Sequence, residues 1–112
     1  MLTFNLKKEW FDKIKLGEKT HEYREYKYYW FVRIKNYFKF LDEEIFDMRR
    51  GDIFLERDKP IIFRCGYNGK ILKAKVISIK VINGKNTDLK IDKDVFDIEF
   101  KLLENKWQQK RK

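Results

Sequence analysis

Three residues in one short stretch carry groups able to read a polar ligand or react with it: Lys19, Glu22 and Arg24, shortly after Gly17. If the stretch KTHEYRE is a strand, side chains two apart share a face, so Thr20, Glu22 and Arg24 point one way and His21 and Tyr23 the other. Lys19 then stands just before them in the turn. Opposite charges at that separation orient each other. A carboxylate accepts from the exocyclic amine of a base, a guanidinium offers a fork to a carbonyl or phosphate, and an ammonium is a mobile point charge. The plainer reading of the same spacing is the solvated face of a half-buried strand, and spacing alone leaves both open.

Arg64 and Tyr67 flank Gly66 in a second candidate stretch. A glycine beside an arginine on one strand face leaves room for a ligand to approach the backbone, but a hairpin-end glycine next to a surface arginine fits as well. Between Tyr23 and Phe40, nine of eighteen residues are aromatic. Most of these rings are expected in the core. Among Tyr26, Tyr28, Tyr29 and Trp30, a ring that lines a cavity would stack on a base, a contact worth about 1–3 kcal/mol. Cys65 is the sole cysteine and His21 the sole histidine. Neither an intramolecular disulfide nor a zinc site can be assembled from them, and no metal or cofactor is expected. Cys65 reads as a small buried side chain, because only His21 is available to activate it.

Positioning these groups requires a particular run of elements. LTFNL (2–6) alternates like a short strand, and KKEWFDKIKLG follows with helical spacing of Trp10, Phe11 and Ile14, ended by Gly17 in the left-handed conformation. After the strand through KTHEYRE, Trp30, Ile34 and Phe38 predict a second helix near 28–41. The second half predicts strands at 53–57 and 61–67, parted by Asp58-Lys59-Pro60, and a hairpin turn at Asn68-Gly69 into a long run at 71–82. In that run the apolar phase changes from Leu72, Ala74 and Val76 to Ile77, Ile79 and Val81, as a bulge or bend requires. A polar loop at 83–94 leads to the strand 95–103, where Phe96, Ile98, Phe100 and Leu102 alternate.

The 112 residues include 27 Lys and Arg against 18 Asp and Glu, a net charge of +9 with a pI near 9.6. That field favours a polyanionic partner, although an excess of lysine also serves solubility. Residues 1–40 hold 10 basic and 5 acidic groups, residues 41–112 hold 17 and 13, so the first third is the more basic per residue. The apolar content, 43% with 17% aromatic, suits one domain over 1–104, followed by a basic tail at 105–112 expected to fray. The start lacks the apolar core of a signal peptide, and no run of about 18 apolar residues follows. A cytoplasmic monomer with no membrane association is the default expectation.

The element order and several local motifs resemble the ASCH domain of the PUA-like superfamily. The similarity is carried by Leu6-Lys7-Lys8-Glu9-Trp10-Phe11, Gly17-Glu18-Lys19-Thr20-His21-Glu22-Tyr23-Arg24, Tyr29-Trp30 with Arg33, Phe63-Arg64-Cys65-Gly66-Tyr67 and Val95-Phe96-Asp97-Ile98-Glu99-Phe100. It spans residues 2–103 and is sharpest at Gly17-x-Lys19-x-x-Glu22-x-Arg24. The resemblance implies an α+β fold: a small β-barrel of about five to six strands with two helices in the N-terminal half. It implies binding of RNA or a modified nucleoside in a polar cleft, with Lys19, Thr20, Glu22, Arg24, Tyr29, Trp30, Arg33, Arg64 and Tyr67 as ligand contacts. Some small ASCH proteins remove an acetyl group from the exocyclic amine of acetylcytidine, which would make Lys19 the leading base or nucleophile and Glu22 its proton-transfer partner. This chain departs from that pattern twice. Glu22 stands where those enzymes carry a second threonine, and the polar loop replaces a helical segment bearing a further carboxylate, for which Asp88, Asp92 or Asp94 are the substitutes. A ribonuclease reading ranks last, with His21 as the lone imidazole.

Overall fold

Register partners Phe4 and Phe63 bring their rings to 5.9 Å, and Phe63 lies 4.6 Å from Phe100, so one continuous aromatic stack ties three strands together. In this computed structural model residues 1–51, 53–54 and 59–103 are described, with only the backbone at 53–54. The elements run β1 (Thr3–Leu6), α1 (Lys8–Lys15), β2 (His21–Glu25), α2 (Tyr28–Phe38), α3 (Asp42–Asp47), β3 (Ile53–Phe54), β4 (Pro60–Cys65), β5 (Ile71–Asn83), a 3₁₀ turn at Gly84–Asn86 and β6 (Asp94–Leu102). The result is an α+β domain with one mixed sheet and, among the described residues, three helices.

The sheet order is β1-β4-β5-β6-β2, with β3 pairing β5. Only β1 and β4 run parallel. The barrel implied by the resemblance is not closed, because the two strands at the ends of this order, β1 and β2, do not pair. The physical reason lies in what occupies the space between them. The Asn5 carbonyl on the free edge of β1 accepts from the Arg24 side chain at 3.0 Å instead of from a backbone N–H, and the Trp30 ring stacks on Phe4 at 5.2 Å.

Local chemistry explains most of the element boundaries. Helix α1 buries Phe11 and Ile14 and ends in a Schellman turn: Gly17 takes φ +80°, Glu18 N–H donates to Lys13 C=O and Gly17 N–H to Ile14 C=O. Helix α2 turns its Trp30, Ile34 and Phe38 stripe to the core but stops at Phe38, earlier than its periodicity predicts. Lys39 adopts φ +57° there, which carries Phe40 back into the core, where it is 4% exposed. The third helix, which the spacing did not announce, is opened by the Glu44 carboxylate accepting from Leu41 N–H at 3.0 Å.

The β half follows its sequence signals closely. The turn before β5 places Gly69 at φ +71°, and the phase change in β5 is a bulge between Val76 and Ser78. Val95 and Asp97 of β6 are buried as well as Phe96 and Ile98, so the middle of this strand is covered on both faces. Cys65 is fully buried. The expected strand residues 55–57, the turn residue Asp58 and the tail 105–112 lie outside the described residues. Among the described residues no helix is long and apolar enough to cross a membrane.

The aromatic stack should dominate stability. Phe63 is completely buried, and Phe63→Ala is expected to cost about 3–5 kcal/mol. A urea unfolding curve measures this directly, and a loss below about 1 kcal/mol would show that the ring is dispensable to the core.

Candidate functional site

Lys19 is delivered by the turn that ends α1, its own N–H donating to Lys13 C=O at 3.2 Å. Its ammonium sits 5.5 Å from the centre of the Trp10 ring and 5.1 Å from that of Tyr23, a cation held between two aromatic groups. It pairs with Glu22 Oε1 at 3.4 Å and with Asp88, and its side chain is only 8% exposed. A buried ammonium persists only when paired. The two carboxylates supply that pairing.

Glu22 is buried on β2 and is shared between both cations. One oxygen accepts from Tyr23 N–H at 3.2 Å and faces Lys19, while the other receives Arg24 Nη2 at 2.8 Å. The same Nη2 donates to Asn5 C=O, and the guanidinium lies 5.1 Å and 4.9 Å from the ring centres of Phe4 and Trp30. Charges of alternating sign therefore run without a break from Asp88 through Lys19 and Glu22 to Arg24. Among the described residues, Arg24 Nε is the one buried side-chain polar atom without a hydrogen-bond partner.

Two depressions flank this chain. The larger, about 490 Å³, opens where β1 and β2 fail to meet and is walled by Asn5, Trp10, Glu22, Arg24, Trp30 and Asp88, with Lys7 and Lys27 also on its lining. The smaller, about 290 Å³, is lined by Lys13, Lys19, Thr20 and His21. Trp10, Tyr23 and Asp88 belong to both. The Lys19–Asp88 pair thus stands on the partition.

The residues singled out from the sequence are distributed unequally around these depressions. Glu22, Arg24 and Trp30 wall the larger one, and Lys19 and Thr20 the smaller. Tyr29, Arg33, Arg64 and Tyr67 line neither. Arg33 lies over Tyr29 at 4.3 Å on the exposed side of α2, Arg64 is exposed opposite Asn5 in the register, and Tyr67 is exposed in the hairpin turn. Of the three aspartates offered by the sequence, Asp88 is the one that reaches Lys19, whereas Asp92 pairs with Lys85 and Asp94, which opens β6, with Arg49.

Spacing gave no means of choosing Asp88, because its position is set by packing at Gly84. That glycine accepts from Thr87 N–H, Thr87 Oγ1 and Ile91 N–H through its carbonyl, folding the loop back on itself. A methyl group there would come within 2.9 Å of Ile91 O and 2.8 Å of Val95 Cγ1. Asp97 was also missed as a site residue. It is 5% exposed, and its Oδ1 holds His21 Nδ1 at 2.6 Å, while the His21 ring stacks on Tyr23.

No family profile, curated protein sequence or solved structure matches this chain.

Burial, reinforced by the carboxylates of Asp97, Asp88 and Glu22, pushes the Tyr23 phenol above its ordinary pKa of 10.0. A raised phenol pKa means that the folded state favours the protonated form. The associated stability is complete below pH 10.0 and lost as pH rises through the folded-state value. Tyr23→Phe should flatten the alkaline fall in stability relative to the parent protein, read by denaturant midpoints across that range. Flattening will be partial, since burial raises Tyr37 in the same sense. An identical alkaline profile in both proteins would show that Tyr23 is not desolvated.

Proposed function

We propose that the chain is an RNA- or nucleotide-binding domain of the ASCH type, with a fold related to the PUA-like group, and that the open gap between β1 and β2 receives a nucleobase. The observation that carries this reading is the Glu22–Arg24 pair set into the wall of the larger cleft beside Trp30. An aromatic face supplies stacking, and a carboxylate next to a guanidinium offers an acceptor and donors at one edge, the combination a base edge requires. The cleft volume falls within the few-hundred to thousand Å³ range of small-ligand sites. Excess positive charge on the chain suits the phosphates that accompany such a ligand.

Trp10 and Trp30 on the cleft wall make tryptophan fluorescence the natural readout. Titration with the four nucleosides, acetylcytidine and short RNAs should give saturable quenching, with RNA affinity falling steeply as salt increases. Arg24→Lys keeps the charge but loses the fork, and is expected to weaken binding about tenfold or more. Binding of none of these ligands at high protein concentration would remove the proposal.

A second reading, hydrolysis of an acyl group from an exocyclic amine, is favoured by one specific observation: Asp88 meets Lys19 across the partition. An ammonium between two carboxylates can relay protons. Water would add to the acyl carbon and lose its proton to a carboxylate, Lys19 would protonate the departing amine, and the C–N bond would break. With acetylcytidine as substrate, turnover should vanish in Lys19→Ala and fall at least about a hundredfold in Asp88→Asn. Turnover that survives Lys19→Ala would exclude this route.

A further inference from the structure

The sheet turns its outer surface to solvent, and part of that surface carries charge of one sign. On the side opposite the Phe63–Phe100 stack, alternation along β4, β5 and β6 brings Arg64, Lys73, Lys75 and Lys101 to one face, all four exposed. Lys75 and Lys101 are direct register partners on antiparallel strands. Arg64 is paired with Ile71 and so stands diagonal to Lys73, at the separation of about 7–8 Å that long side chains still span. Among the described residues, none of these four side chains forms an ion pair or a hydrogen bond.

Like charges directly opposite each other weaken a strand pair, and here nothing on the face offsets them. The carboxylate next along β6, Glu99, is turned to Ser78, whose hydroxyl donates to it at 3.3 Å. Beyond it, Asp97 is answered by His21 and Lys80. The imbalance is therefore confined to the four cations, with Ile71 and Ile77 exposed between and beside them on β5. This face also meets the larger cleft. Asn5 on the cleft wall is the register partner of Arg64, so the first of the cations lies one strand spacing, about 4.8 Å, from the cleft rim.

We infer that the outer face of β4, β5 and β6 is a track for the phosphate backbone of single-stranded RNA, running from the cleft rim at Arg64 to the Lys75–Lys101 pair. It rests on the RNA-binding reading of the chain, and on the base cleft only for where the track begins. A bound polyanion relieves the repulsion between the two lysines and releases their counterions. The test is fluorescence anisotropy with labelled single-stranded RNA of mixed sequence, about twelve nucleotides long, across a range of salt. The double variant Lys75→Gln with Lys101→Gln should bind about tenfold more weakly, and its salt slope should fall by about 0.7 for each lysine lost. Its urea midpoint should equal or exceed that of the parent, which separates weaker binding from unfolding. Nucleosides carry no phosphate and should bind parent and variant alike. Lys15→Gln with Arg50→Gln removes the same charge from two exposed positions off this face, and should keep the full salt slope.

Equal losses in the two double variants would overturn the track by assigning the effect to net charge, while nucleoside binding would leave the cleft standing. RNA affinity that drops only in the Lys75 and Lys101 variant, with no nucleoside bound by either protein, would uphold the track and remove the cleft as a base site. Tighter binding to vesicles of phosphatidylcholine and phosphatidylserine than to RNA, lost in that same variant, would replace the track with a membrane-facing surface. Failure of the parent protein to bind either RNA or nucleosides would overturn both readings together.

Discussion

The Arg24 guanidinium holds together two sheet edges that share no backbone hydrogen bonds, and the rest of the site depends on its staying there. It can do so only because Glu22 neutralises it, and Glu22 can be buried only because Lys19 and Arg24 flank it. Each charge is therefore the condition for the next. Removing one member of a buried ionic set typically costs about 3–5 kcal/mol, chiefly because the remaining charge is left without a partner. A network of this kind sets geometry more than it adds stability. It fixes where the cleft walls stand.

Much of this arrangement could be read from the chain because it is local. Gly17 after an amphipathic turn, the two-residue spacing of Glu22 and Arg24, the Asn68-Gly69 turn and the phase change in β5 all lie within a few residues of their consequences. The end of α2 could not be read so. Lys39 takes a left-handed conformation without being glycine, under pressure to bury Phe40, and that pressure comes from residues distant in sequence. Asp88 and Asp97 were opaque for the same reason. One depends on how a loop packs at its root, the other on pairing between β2 and β6, where Asp97 stands opposite Tyr23.

The unclosed barrel has a similar origin. The phase change in the 71–82 run predicts a bulge or bend, and β5 carries the bulge, but whether the last two edges meet depends on side chains that wedge between them. Arg24 and Trp30 are the wedge, and sequence periodicity does not reveal that a side chain will take the place of a backbone partner. Arg64 and Tyr67 illustrate the converse limit. Their pattern suggests a ligand contact, and the structure sets both on the outer surface away from the two depressions, one opposite Asn5 in the register and the other in a hairpin turn.

The tight root of the loop before β6 bears on recognising this protein's kin. Position 84 has no room for even a methyl group, and Thr87 closes the turn that aims its neighbour at Lys19. Any chain that builds the same site by the same route should pair a Gly-x-x-Thr-Asp string with a Gly-x-Lys-x-x-Glu-x-Arg string far upstream. Either string alone is too common to be informative, so their joint occurrence is the signature worth seeking.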